Sequence, residues 1–127
     1  MKNKINQLQS TDAERSVIGS LLLDNAVFDR VSDSLTPSDF FHVPHQIIYK
    51  HIEQLAQNGQ PFDVVTLSDS MQVSKTIDQV GGLGYLAEIA KDTPTSQNIT
   101  AYADIVKNKS IKRKLSQALF RVESVSP

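Results

Sequence analysis

The chain has 127 residues, 39% of them hydrophobic and 21% charged, with no cysteine and a formal net charge of -1. That length suits one domain burying roughly two-thirds of the surface its unfolded form exposes, and the missing cysteines exclude disulfides, thiol catalysis and thiolate zinc sites. No apolar run approaches the roughly 20 residues that cross a bilayer, and no signal-peptide pattern follows Met1-Lys2-Asn3-Lys4, so the expectation is a soluble, cytoplasmic chain without membrane contact.

In chain order, Thr11-Asp12-Ala13-Glu14 fits a capping box, with Thr11 as the cap and Glu14 reaching back to it. Ala13, Val17, Ile18, Leu21 and Leu22 recur at helical spacing and define the core face of a first helix over 12–23. Asp24-Asn25 caps a short second helix whose apolar face is Val27, Phe28, Val31 and Leu35. Thr36-Pro37-Ser38-Asp39 then starts a single turn that carries Phe40 and Phe41 into the core. From Pro44 to Gln57 the positions Ile47, Ile48, Ile52 and Leu55 keep the helical period, and Asn58-Gly59 supplies a left-handed stop.

Asp63 can cap a helix that buries Val64, Val65, Leu67 and Met71. The run Val64-Val65-Thr66 would also suit a strand, but no second segment with period-2 alternation exists to pair with it. Ser74 to Val80 reads as a connecting turn. Leu83 to Lys91 is a short helix with Leu83, Leu86, Ala87, Ile89 and Ala90 on one side, broken by Asp92-Thr93-Pro94-Thr95. A last helix of roughly 25 residues follows, and its apolar positions from Ile99 through Ile111, Leu115, Leu119 and Val122 outrun what a small body can cover. The expected organisation is a flexible segment over 1–10, a helical body over 11–97 and the terminal helix over 98–127. The fold class is all-α, a small bundle of about six helices.

Three of the five glycines stand in Val80-Gly81-Gly82-Leu83-Gly84-Tyr85. A phosphate loop would need a preceding strand, a lysine and a hydroxyl after the last glycine, and a dinucleotide fingerprint would need different glycine spacing. The glycines read instead as a positive-φ entry to the next helix. His42, His45 and His51 lack the spacing of a helix-borne metal pair and read as hydrogen-bonded or solvent-facing imidazoles. Asp12, Asp24, Asp39 and Asp63 all read as helix caps, and no nucleophile elbow occurs, so nothing supports catalysis.

Charge is unevenly placed. Residues 1–106 carry seven Lys or Arg against thirteen Asp or Glu, and residues 107–127 carry six against one, giving a body of net -6 and a tail of net +5. The run Lys107, Lys109, Lys112, Arg113, Lys114 and Arg121 suits a solvated or partner-facing helix; direct nucleic-acid binding is the alternative. A charged amphipathic segment at the end of the sequence carries the expectation of an excised fragment.

Six ordered blocks carry a resemblance. They are Ala13-Glu14-Arg15-Ser16-Val17-Ile18-Gly19 with Leu23-Asp24-Asn25; Asp39-Phe40-Phe41; Pro44-His45-Gln46-Ile47-Ile48; Pro61-Phe62-Asp63-Val64-Val65-Thr66-Leu67; Val80 to Leu86; and Thr93-Pro94-Thr95-Ser96-Gln97-Asn98-Ile99 with Tyr102-Ala103-Asp104-Ile105-Val106. Over about residues 11–122 the chain resembles the N-terminal domain of the DnaB-type bacterial replicative DNA helicases. The resemblance implies that the terminal helix is half of a hairpin through which subunits pair, and that paired domains build a collar on a hexameric ring. It also implies docking of the primase C-terminal domain, with a helicase loader as a further candidate partner and weak or indirect DNA contact. ATP and magnesium chemistry would lie in another domain of the parent chain, leaving this stretch without cofactor, metal or catalytic residues. Carried over by position, the partner-binding residues are Asp12, Tyr85, Arg113, Ser116 and Val122, and Leu115 and Leu119 belong to the oligomer interface. Ser116 departs from the apolar residue expected there. Tyr85 stays open between a core ring with a satisfied hydroxyl and an interface ring.

Overall fold

A computed structural model describes the backbone of residues 8–125 and the side chains of 8–122. Six α-helices lie wholly within this range: α1 (Thr11–Leu23), α2 (Val43–Gln57), α3 (Val64–Val73), α4 (Ile77–Val80), α5 (Gly82–Asp92) and α6 (Ile99–Val125). Two 3₁₀ turns, Asn25–Arg30 and Pro37–Asp39, stand between α1 and α2, and no strand occurs among the described residues. No helix is long and apolar enough to cross a membrane.

Helix α1 is the centre of the bundle. It packs mainly on α6 and α5, with further contacts to α2 and the first 3₁₀ turn. Ala13, Val17, Ile18 and Leu21 are buried together with Glu14, Gly19 and Ser20, so the helix is covered on most of its circumference. Its cap is Ser10, whose hydroxyl accepts from the Ala13 amide at 3.2 Å, and Thr11 is the first helical residue. Glu14 therefore does not close the expected capping box. The segment expected to be flexible over 1–10 falls outside the described residues up to residue 7, while Leu8, Gln9 and Ser10 all make hydrogen bonds to the body.

After α1, Asp24 caps as expected, accepting from the Ala26 amide at 3.1 Å. Asn25 does something else: its amide spans the gap to Phe62, donating to the Phe62 carbonyl at 2.8 Å and accepting from the Phe62 amide at 3.0 Å. The anticipated second α-helix is a 3₁₀ turn followed by an irregular turn, yet Val27, Val31 and Leu35 are buried as expected. Phe28 packs on Tyr49 and Phe62, and Phe40 on Tyr49, which gathers the aromatic core beneath α2. Phe40 enters that core, whereas Phe41 stays 43% exposed, contrary to expectation.

Helix α2 ends at Asn58-Gly59, where Gly59 takes φ +68° and the Gln60 amide returns to the Leu55 carbonyl. Asp63 and Thr66 cap α3 reciprocally, each side chain bonding the other's amide at 2.8 Å. Leu67 and Met71 are buried on α3, but Val65 points to solvent because the buried face is completed by Ser68. The expected turn after Ser74 contains the one-turn helix α4. Gly81 and Gly82 hold φ of +103° and +77° at the entry to α5, as the glycine pattern implies, and a Cβ at Gly81 would lie 3.1 Å from that of Tyr85. Leu86 and Ile89 are buried on α5, and Leu83 is exposed.

Helix α6 divides into two halves. Ile99, Ala103, Val106 and Ser110 face the body at intervals of three and four, and beyond them the helix leaves it. Ile111, Leu115, Leu119, Phe120 and Val122 are each 51% to 70% exposed.

The approach of α1 to the α5 end is set by Gly19, where a Cβ would overlap the Thr93 side chain and press on the Ile89 carbonyl. Gly19→Ala is expected to lower stability by about 1–3 kcal/mol through that overlap. Chemical denaturation checks it; an unchanged midpoint would show that the helices separate without strain.

Candidate partner-docking face and its buried anchors

Glu14 sits on the apolar face of α1, one turn before Ile18 and two before Leu21, and is 1% exposed. A carboxylate there must find donors, since an unpaired buried charge is costly. It finds three: the Phe41 amide at 2.6 Å, the His42 amide at 3.3 Å and His45 Nδ1 at 2.7 Å. His45, equally buried, lies on the α2 face that carries Ile48 and Ile52. With Nδ1–H given to Glu14, Nε2 is the ring atom left to accept.

That acceptor takes the Tyr85 hydroxyl at 2.6 Å, and the two rings stack at 5.9 Å and 7°. Burial pushes the Tyr85 phenol up from its ordinary value, against the pull of the Arg15 charge, which keeps the hydroxyl a donor. The Arg15 guanidinium stands over the same ring, 5.4 Å from its centroid. Arg15 is itself held by Asp92 at 2.9 Å and approaches Glu88 at 4.0 Å. Tyr85 is thus neither a core ring nor a free one: its hydroxyl is anchored inside, and the ring stays half-buried. Asp12, on the exposed side of α1, lines an open groove of about 450 Å³ with Arg15, Ser16, Glu88 and Asp92.

A second buried carboxylate, Asp39, stands at the root of α6. It accepts from the Thr36 amide at 2.8 Å, completing the expected cap, and also from Ser110 Oγ at 2.7 Å, Lys114 Nζ at 3.1 Å and Lys107 Nζ at 3.3 Å. Burial alone would raise its pKa; the hydroxyl of Ser110, the Thr36 amide and the two lysines outweigh that and lower it to about 2. Arg113 stands beside it, donating to the Asp39 carbonyl at 2.8 Å and the Leu8 carbonyl at 2.7 Å, with its guanidinium 5.4 Å over the Phe41 ring. Lys107, Arg113 and Lys114 of the tail are therefore bound to the body. Ser116 lines a small apolar pocket of about 230 Å³ with Leu8, Phe41, Arg113 and Gln117, whereas Leu115, Leu119 and Val122 lie along the exposed half of α6.

The structure brings Asp12 and Tyr85 to one face through Arg15, and Arg113 and Ser116 to one place beside Phe41. All three histidines are hydrogen-bonded. His42 lies 2.7 Å from Thr11 Oγ1, and His51 lies 2.7 Å from Ser70 Oγ. Burial lowers the pKa of both rings. A larger groove of about 630 Å³ between α2 and α3 includes Ser70 in its lining but no residue of the Glu14 or Asp39 clusters. Sequence reasoning missed Glu14 and His45 as a pair and Asp39 as a hub. A signal existed, since Glu14 and His45 each interrupt an otherwise apolar helical stripe.

The family model of the DnaB-like helicase N terminal domain matches residues 6–108. The replicative DNA helicase DnaB of Buchnera aphidicola subsp. Baizongia pistaciae (strain Bp) is 39% identical over 121 residues, which cover 90% of this chain and 26% of that one. The chain thus spans about a quarter of the length of the curated relatives it matches. Among solved structures, the N-terminal domain of DnaB helicase from Mycobacterium tuberculosis superposes with a TM-score of 0.88 at 34% identity, covering 91% of this chain and 84% of that one. The N-terminal domain of DnaB helicase from Helicobacter pylori, described together with its interactions with primase, gives 0.79 at 30% identity and covers 96% and 94%.

The lowered Asp39 pKa carries a pH signature. A group whose folded pKa lies below its unfolded 3.8 stabilises fully above that value and loses its contribution as pH falls toward about 2. The loss should be about 2 kcal/mol. Urea melts from pH 5 to pH 2 on the parent and on Asp39→Asn check it; parallel profiles in the two proteins would refute the assignment.

Proposed function

The chain belongs to the family of DnaB-like helicase N-terminal domains, and from that premise we propose that it is an assembly and docking module of a replicative helicase. In this reading it pairs with other copies through α6 to build a collar on a hexameric ring, and it receives the C-terminal domain of primase. A helicase loader is a further candidate for the same surface. ATP hydrolysis and unwinding belong to another part of the parent chain, and the setting is cytoplasmic.

The observation that carries the reading is the exposed half of α6. Ile111, Leu115, Leu119 and Val122 recur at intervals of four, four and three, which places them on one side of a helix with no covering element among the described residues. A stripe of that kind marks a surface for a second apolar face to cover. The docking part rests on Tyr85, a ring held rigid by its hydroxyl and presented at the surface, which suits an interface anchor because little conformational entropy remains to be lost. The DNA-binding alternative is weakened by the internal use of Lys107, Arg113 and Lys114, which would have to leave Asp39 and its neighbours to reach phosphates.

Titration of the primase C-terminal domain into the chain should show binding that Tyr85→Ala weakens by about 10-fold or more. Failure to bind at any accessible concentration would sink the docking reading. Sedimentation equilibrium should show self-association that the double substitution Leu115→Asp and Leu119→Asp abolishes; association indifferent to that change would place pairing elsewhere.

A further inference from the structure

A continuous set of contacts joins the ring of Tyr85 to the root of α6. The Tyr85 hydroxyl meets His45 Nε2 at 2.6 Å, His45 Nδ1 meets Glu14 at 2.7 Å, and Glu14 holds the Phe41 amide at 2.6 Å. The Phe41 ring lies under the Arg113 guanidinium, which is bonded to the Asp39 and Leu8 carbonyls. The middle of this path is buried, with Glu14 and His45 each 1% exposed, and both ends reach the surface.

This arrangement is stiff for a definite reason. A buried carboxylate that lost one of its three donors would be left partly unpaired in a low-dielectric site, so Glu14 holds all three or forces the others to adjust. His45 cannot turn toward or away from Tyr85 without changing its bond to Glu14, since the two nitrogens belong to one rigid ring. A displacement of the Tyr85 hydroxyl is thereby carried to the Phe41-His42 backbone, and from Phe41 to the side chain that seats α6.

Resting on the reading of Tyr85 as a docking residue, we infer that the Glu14–His45 pair is a positioning relay: it fixes the Tyr85 ring for a partner and ties its occupancy to the seating of α6 through Phe41 and Arg113. Docking at Tyr85 and pairing through α6 then alter each other's affinity, by the same factor in both directions. None of the relay residues performs chemistry; each acts through the position of the next.

The test has a partner-free arm. Tyr85→Phe keeps the ring and removes only the hydroxyl, so the fold is retained. It should speed hydrogen exchange at the Phe41 and His42 amides and at the Arg113 side chain by about 5-fold or more. Tyr102→Phe, on α6 but outside the relay, should leave them unchanged. Unaltered exchange in Tyr85→Phe overturns the relay whatever any partner does. The second arm measures the self-association constant with and without saturating primase C-terminal domain. The parent should show a change of about 5-fold or more, shrinking toward none in Tyr85→Phe and in Arg113→Lys; equal coupling in parent and variants overturns the proposal. Faster exchange combined with no primase binding would uphold the link from Tyr85 to α6 and overturn both the docking reading and the coupling.

Discussion

The buried Glu14 carboxylate organises this domain. Placing a charge on the apolar side of the central helix is costly, and removing any one of its partners would be more so, because the charge would remain without its donor. The donors come from the Phe41-His42 backbone and from α2, so their positions are specified by the need to satisfy Glu14. From that requirement follow the inward path of Phe40 against Tyr49, the outward turn of Phe41, and the orientation of the His45 ring. Tyr85 inherits its position from His45, and α5 carries Tyr85 there because Gly81 and Gly82 permit the left-handed entry.

Asp39 plays the matching part for the terminal helix. Apolar contacts hold α6 only as far as Val106, and the polar group of Asp39, Ser110, Lys107 and Lys114 extends the attachment by about two turns. Among the described side chains of α6, Arg113 is the last that is not exposed. Past Lys114 the helix continues chiefly by propagation from the seated half, which is favourable once a helix is nucleated but marginal for an isolated segment of that length. Pairing with another surface is the natural way for such a segment to gain stability, and its apolar stripe supplies the means.

Much of the architecture was legible because it depends on local chemistry. Asp63 with Thr66, Pro37 at the head of its turn, the stop at Gly59 and the positive φ of Gly81 and Gly82 are requirements of the backbone within four residues of themselves. The buried stripes of α1, α2 and the first half of α6 followed from the helical period. The misreadings share one cause. Glu14 fits a capping box by spacing, Val65 fits a core position by hydrophobicity, and the basic run of α6 fits a solvated or partner-facing helix by charge, with no sign of its use within the domain. In each case the outcome was decided by an element distant in the chain: the Phe41-His42 backbone for Glu14, the packing of α3 on α5 for Val65, and Asp39 for the cations.

The amino-acid sequence by itself determined an all-helical chain, the starts and stops of most helices, a terminal helix with more apolar surface than the body can cover, and membership of a helicase N-terminal family. These rest on caps, period and ordered motifs, which are short-range properties. Only the tertiary structure decided what Tyr85 is, because its ring could equally have been core or interface until its hydroxyl met a histidine forty residues away. It alone decided that Arg113, Lys107 and Lys114 are bound to the body, since hydrogen bonds across more than sixty residues leave no trace in local spacing. Polar groups buried by long-range packing are where a pattern of residues ceases to specify its partners, and in this protein those groups join the proposed docking face to the helix proposed for assembly.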